Sequence, residues 1–317
     1  MVDLALRLAS IPGERVNVAQ VAAAALRRNL DEVRAHQIEV GPGMQAEDLH
    51  DLRVAVRRIR TAVRLFEAFL PPCRASTVED LEWLGDVLGE VRELDIEIDL
   101  VSSLRELRTE EIDQYAGMLI DLLDRRRERA VSVAAEALSS SRAAETFDDL
   151  ESMCTSLGSS TGAGSTPAEA ALPSLVRDRY GKARRAAKTA RWSRDLADFH
   201  RLRIRCKRLR YLLEFSEEVY GDAVRPGIGR LVLLQDLLGD LQDSRASSGR
   251  LTELATGNAE VPPSVSFAAG TAVAAIRRRE TKLVRKASYR SKLLARSRWK
   301  SIFAALEEPT AARERSR

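Results

Sequence analysis

Apolar residues recur three and four positions apart over most of the chain. In the stretch around residue 50, Leu49, Leu52, Val56, Ile59, Val63 and Phe66 follow this spacing. Turned through 100° per residue, they occupy one arc of about 100°, the width of a core-facing helical stripe. No persistent period-two alternation, the mark of half-buried strands, is present. The pattern predicts helices over 17–38, 46–69, 77–107 and 109–138, with an extra helix near 142–156. A second set is predicted over 168–191, 195–219, 224–255 and 264–294, with a tail helix near 296–307. Gly41-Pro42-Gly43, Pro71-Pro72, Gly221, Pro226 and Pro262-Pro263 supply the breaks between them.

The two sets are related. Segment 48–60 reads DLHDLRVAVRRIR and segment 198–210 reads DFHRLRIRCKRLR, with six of thirteen positions identical at an offset of 150 residues. The identities include His50/His200, Arg53/Arg203, Arg58/Arg208 and Arg60/Arg210. At the same offset LEWLGDVLGE (81–90) aligns with LVLLQDLLGD (231–240), and upstream Arg27 and Arg34 align with Arg177 and Arg184. Three segments matching at one offset indicate an internal duplication. The expected fold is all-α: two pseudo-symmetric four-helix bundles, residues 1–157 and 158–317, joined by the Gly/Ser/Thr-rich stretch near 158–167.

Composition narrows the functional classes. The chain of 317 residues is 44% hydrophobic and 31% charged, enough apolar material for a real core, and its 5% aromatic content favours helices over a β-rich fold. Cys73, Cys154 and Cys206 are odd in number and lack metal-ligand spacing, against a disulfide scaffold or a cysteine zinc site. No run of 18 uncharged apolar residues exists, so no membrane span is expected. The start, MVDLALRLASIPGER, does not read as a signal peptide, and a cytoplasmic protein is expected. The net charge of +4 conceals an asymmetry: residues 1–157 carry 19 basic and 30 acidic groups, a balance of −11, while 158–317 carry 32 and 17, a balance of +15. A polyanionic partner for the basic half, or contact between the halves, would account for this.

The helix near residue 50 carries the candidate chemistry. His50, Arg53, Arg57, Arg60 and Arg64 lie on a second narrow arc beside the apolar one, in a line about 21 Å long at 1.5 Å per residue. Arg58 adds to it. The second copy repeats the stripe with His200, Arg203, Lys207 and Arg210, broadened by Arg205 and Arg208, while Glu214 stands where Arg64 would be. Arg27 and Arg34 share a face of the preceding helix, as do Arg177 and Arg184. Aligned like charges need compensation. A basic channel between helices, built mainly of arginine forks suited to bidentate phosphate contacts, is one answer. Ion pairs with Asp86, Glu90, Asp95, Asp236 and Asp240 are the other. No His-x-x-His or His-x-x-x-His pair accompanies His50 or His200, no nucleophile is visible beside them, and no metal or cofactor is expected.

At these residues the sequence resembles the CHAD family, the conserved-histidine α-helical domain. The signatures are LHDLRVAVRRIRTAVRLF with LGDVLGEVRELDI, and FHRLRIRCKRLRYLLEF with LQDLLGDLQD, within a resemblance over about 17–295. The resemblance implies two pseudo-symmetric helical bundles around a basic channel that binds inorganic polyphosphate, often at polyphosphate granules with their proteins as neighbours. Many relatives carry an N-terminal triphosphate-tunnel domain; no Glu-x-Glu-x-Lys strand is present here, and a triphosphatase is not implied. The second copy drifts after Asp243, in LQDSRASS, where the first keeps VRELDI. The leading expectation is therefore non-enzymatic polyphosphate binding. The alternatives are a nucleic-acid-binding helical protein, disfavoured because the stripes lack interleaved aromatics, a phosphate-processing enzyme using Asp86, Glu90 and Asp95, and a granule scaffold docking through the basic stretch 277–300.

Overall fold

A computed structural model describes residues 16–37, 46–103, 110–156, 162–256 and 261–307. Among these residues there is no β-strand, only an isolated bridge between Asn17 and Pro167. Eleven α-helices follow in order: α1 (Val18–Gln37), α2 (Ala46–Phe66), α3 (Thr77–Ser103), α4 (Glu110–Leu138), α5 (Ser141–Ser156), α6 (Ala168–Ser193), α7 (Leu196–Phe215), the single turn α8 (Glu217–Tyr220), α9 (Arg225–Thr256), α10 (Pro263–Arg290) and α11 (Lys300–Glu307). The chain is all-α, as the apolar spacing requires.

The breaks have local causes. Pro262 and Pro263 open α10, where a missing N–H costs nothing. Arg194 ends α6 in the left-handed region at φ 55°, its N–H donating to Ala190 O. Asp195 then caps α7 by accepting from Ala197 N at 2.9 Å. The helix expected over 195–219 is interrupted at Ser216, whose hydroxyl donates to Leu212 O at 2.6 Å before α8 begins. The Gly41-Pro42-Gly43 break, the end of the 77–107 helix and residues 158–161 of the joint lie outside the described residues. In the described part of the joint Gly162–Ser165 forms a short 3-10 turn, and Val18 N donates to Thr166 O while Ala168 N donates to Val16 O, at 3.0 and 2.9 Å.

Within each half, neighbouring helices pack in sequence: α1 on α2, α2 on α3 and α3 on α4, then α6 on α7, α7 on α9 and α9 on α10. Across the halves each helix meets its own counterpart, α1 with α6, α2 with α7, α3 with α9 and α4 with α10. This is the pairing that a two-fold relation between the halves would give. Apart from Ala19 and Ala23, the buried apolar residues of both halves form one continuous core cluster, including the entire expected α2 stripe from Leu49 to Phe66. Each such Leu, Ile or Phe contributes about 1.5–3 kcal/mol on burial. The core therefore holds α2 and α7 side by side with their basic flanks at the seam.

Candidate anion-binding site

Helices α2 and α7 run in the same sense. Arg53 lies beside Arg203 in the first half of each helix, and the Phe66 and Phe215 rings meet at 6.0 Å at the far ends. This registration brings Arg53, Arg57, Arg203 and Lys207 together. Burial, reinforced by Arg57 and then Arg203, lowers Arg53 to about 10. Burial, with Arg57, Arg203 and Arg53 as neighbours, lowers Lys207 to about 5, opposed by Asp243. Arg203 is lowered by burial too, and Asp243 partly offsets this. The Nε atoms of Arg53 and Arg203 are buried with no hydrogen-bond partner among the described residues.

Glycine makes room on one side. A β-carbon at Gly89 of α3 would already touch Arg53 Nε at 3.8 Å, and one at Gly85 would touch a terminal nitrogen of Arg60 at 3.8 Å. Larger side chains there would push both guanidinium groups off their positions. At Gly239, the counterpart of Gly89 in α9, a β-carbon would meet nothing within 4 Å, so the second copy does not repeat this packing.

Further along the seam the charge is partly neutralised. Glu214 lies 3.3 Å from Arg58 and 3.2 Å from Arg210, and burial raises its carboxyl above the usual range against the pull of both arginines. Tyr211 sits among the guanidinium groups: its hydroxyl accepts from Arg57 Nε at 2.9 Å, and Arg58 and Arg210 lie 5.7 and 5.2 Å from its ring centre. The expectation that the stripe lacks aromatic neighbours is thus corrected. Tyr211 falls on the core side of α7 and is 1% exposed, so its ring steadies the arginines and offers no face to a base. Beyond it, burial lowers Arg208, with Arg205, Arg179, Arg64 and Arg60 adding to the effect, while Arg64 itself pairs with Glu82.

The two repeated histidines have different surroundings. His50 is half-buried, and its pKa is lowered by desolvation, then by Arg92 and Arg57. Its Nδ1 is buried without a partner among the described residues. His200 is exposed, with its Nδ1 at 2.7 Å from Gln242 Oε1. Arg92 and Gln242 occupy equivalent positions of the repeat, so a single substitution between copies places His50 beside a cation and His200 beside a neutral amide.

Four residues expected at the site lie elsewhere. Arg27 donates to Cys154 O at 2.7 Å and Arg34 pairs with Glu151, both on α5, the helix that flanks this face of α1. Arg177 pairs with Glu307 of α11, and Arg184 lines a cleft with the same segment. Sharing a helix face did not bring these residues to the seam: all four are exposed, on a face that the added helices α5 and α11 flank. Arg92, Asp243, Arg179 and Tyr211, which the sequence pattern did not single out, do reach the cluster; Arg92 and Asp243 stand just past the aligned segments 81–90 and 231–240.

The candidate carboxylates are also dispersed. Asp95 is 7% exposed and accepts from Arg127 Nε of α4 at 2.6 Å, while Asp86 and Glu90 are exposed. Among the described residues, the group whose side chains approach closely enough to share a cation is Glu32, His36 and Asp51, mutually within 4.8 Å. No helix among them is long and apolar enough to cross a membrane.

Comparison with known proteins bears on this arrangement. The chain is 28% identical over 262 residues to uncharacterized protein Rv2226 of Mycobacterium tuberculosis H37Rv, and equally to MT2285 of the CDC 1551 strain. These matches cover 78% of this chain and 48% of each relative, so the chain spans about half the length of the curated relatives it matches. The crystal structure of the CHAD domain from the plant Ricinus communis superposes with a TM-score of 0.72 at 27% identity, covering 87% of this chain and 92% of that one. PptA from Streptomyces chartreusis shares the fold, with a TM-score of 0.63 at 20% identity over 87% of this chain and 99% of its own. Residues 24–252 match the pattern of the CHAD domain, α1 through most of α9 with the whole α2/α7 seam inside it, and the chain belongs to that family.

Proposed function

We propose that the protein binds inorganic polyphosphate in a basic channel along the α2/α7 seam, as a binding module without turnover. The observation that carries this reading is the convergence of Arg53, Arg57, Arg203 and Lys207 from two helices, opposed by Asp243 at Arg203 and Lys207 and by Glu93 at Arg53. Holding four partly buried basic groups together is unfavourable in the free protein. A chain of phosphates relieves that repulsion and supplies acceptors for the unpaired Nε atoms. Membership of the CHAD family supports the choice of polyphosphate among polyanions. Polyphosphate granules and their proteins are the setting this reading assigns.

Titration with long-chain polyphosphate at two salt concentrations, with single-stranded DNA as competitor, tests it. The expected result is tight binding that weakens steeply with salt through counterion release and that excess DNA does not displace. Displacement by DNA at equal charge would favour a nucleic-acid function. Magnesium- or manganese-dependent phosphate release that disappears in Asp95→Asn would favour an enzyme.

Lys207 gives the binding a pH signature. Its pKa of about 5 leaves it neutral at pH 7 in the free protein, against an ordinary value of 10.5. Phosphate oxygens favour the charged form, so binding at neutral pH is expected to take up close to one proton at this site. Affinity should be highest below about pH 5 and fall as pH rises, because the protonation cost then grows. Calorimetry in buffers of different ionisation enthalpy measures the uptake. Lys207→Arg, protonated throughout, should bind without it; unchanged uptake in that variant would show that the proton goes elsewhere. The same depressed pKa makes the unfolded state bind the extra proton, so the Lys207 contribution to stability rises with pH between about 5 and 10.5.

A further inference from the structure

Arg177 and Arg184, absent from the seam, belong to a different structure. With Arg296 and Lys300 they line an open cleft of about 440 Å³ between α6 and the C-terminal segment, over Tyr180, Phe303, Ala304 and Glu307. Its base is firmly built. The Tyr180 ring lies 4.8 Å from Trp299 and 5.0 Å from Phe303, and the Tyr180 hydroxyl donates to Leu294 O at 3.1 Å. Trp299 is fully buried, with Nε1 donating to Leu293 O at 3.0 Å. This aromatic knot fixes the 3-10 turn Arg296–Trp299 and the start of α11 against α6, and so sets where four cations emerge.

The charges of the cleft do not cancel. Glu307 is its acidic residue, and it pairs with Arg177. Arg184, Arg296 and Lys300 are exposed and form no ion pair among the described residues. We infer that this cleft is a second site for phosphate chains, taking a short run of inorganic phosphate groups, as in an oligophosphate or the end of a longer chain. Three arginine forks and a lysine around one opening suit a ligand with several charges close together. The aromatic residues argue against a nucleotide: Tyr180 is buried, and the Phe303 face is occupied by Arg177, 5.3 Å from the ring centre. Glu307 is a built-in competitor, a carboxylate on Arg177 that phosphate displaces.

The site shares no residue with the α2/α7 seam. Arg296, Lys300, Phe303 and Glu307 all lie beyond residues 24–252, the part of the chain that matches the CHAD pattern. The inference therefore stands or falls independently of the function proposed for the seam.

Calorimetric titration of the full chain with tripolyphosphate reads both sites. Two classes of binding are expected. Arg296→Glu with Lys300→Glu should weaken one class by about tenfold or more and leave the other, since each exposed charge contributes modestly in water. Arg57→Glu should do the converse. Glu307→Gln should tighten the cleft class by about fivefold, the value of one unit charge at about 4 Å in water. Arg296 and Lys300 are exposed, so an unchanged melting temperature is expected, and the neutral pair Arg296→Gln with Lys300→Gln should give a smaller loss in the same direction. The inference is overturned if the double reversal leaves stoichiometry and affinities unchanged, or if single-stranded DNA occupies the cleft class in preference to tripolyphosphate. One class of binding, lost with Arg57→Glu, would sink the cleft and leave the seam. One class, lost only with the Arg296 and Lys300 variant, would do the reverse.

Discussion

Replacing Arg57 and Lys207 together by glutamate is expected to weaken long-chain polyphosphate binding by roughly 10²–10⁴-fold, since a hydrogen bond to a charged group contributes about 1.5–3 kcal/mol and two are lost. The two side chains come from opposite helices of the seam and face each other among Arg53 and Arg203. Reversal removes two phosphate partners and places two carboxylates where phosphate would lie. The slope of log affinity against log salt should fall by about one for each lost contact. Arg34→Glu is the matched control: Arg34 already pairs with Glu151 away from the seam, and its reversal should leave the affinity within about twofold. A second variant separates binding from folding. Lys207→Met keeps the volume and removes a buried amine, and it should stabilise the free protein at pH 7, because folding then no longer has to strip the proton that the unfolded lysine carries. It should bind polyphosphate more weakly while melting at a higher temperature. A Met variant that binds like the wild type would remove Lys207 from the site.

The largest effect on stability is expected at Arg250. This α9 residue crosses to α3, where it donates to Glu93 Oε2 at 2.6 Å and to Glu97. Glu97 is 3% exposed, and burial raises its carboxyl above the ordinary value while Arg250 pulls it down. Truncation by Arg250→Ala strands a buried carboxylate, at a cost of about 3 kcal/mol after allowing for the partial exposure of Arg250. At about 2–4 °C per kcal/mol for a chain of this size, melting should fall by about 6–12 °C. The deficit should shrink as pH drops towards the raised pKa of Glu97, because the protonated acid no longer buries a charge. Adding Glu97→Gln should restore part of the loss. A melting temperature within about 2 °C of the wild type at pH 7 would show that the two halves do not depend on this tie.

The periodicity of Leu49, Leu52, Val56, Ile59, Val63 and Phe66 was enough to place α2, its buried face and the basic arc beside it, because a helix at 3.6 residues per turn maps spacing onto direction. The proline and glycine breaks gave most helix ends to within a few residues, since those residues act through local backbone geometry. The repeat at 150 residues named the equivalent stripe on α7.

Direction around one helix says nothing about what stands opposite. Arg27, Arg34, Arg177 and Arg184 carry the same spacing logic as the seam residues, yet they stand exposed beside α5 and α11, and the cleft at α11 came into view only with the fold. His50 and His200 match in sequence and differ in environment, because Arg92 and Gln242 reach them from other helices. Tyr211 and Arg57 are 154 positions apart and bonded at 2.9 Å. Local patterns along the chain determine secondary structure and burial, which depend on near neighbours. The meeting of Arg53, Arg57, Arg203 and Lys207, with the desolvation of Arg53, Arg203 and Lys207, arises from helices packed across a common core, and only the tertiary structure decides it.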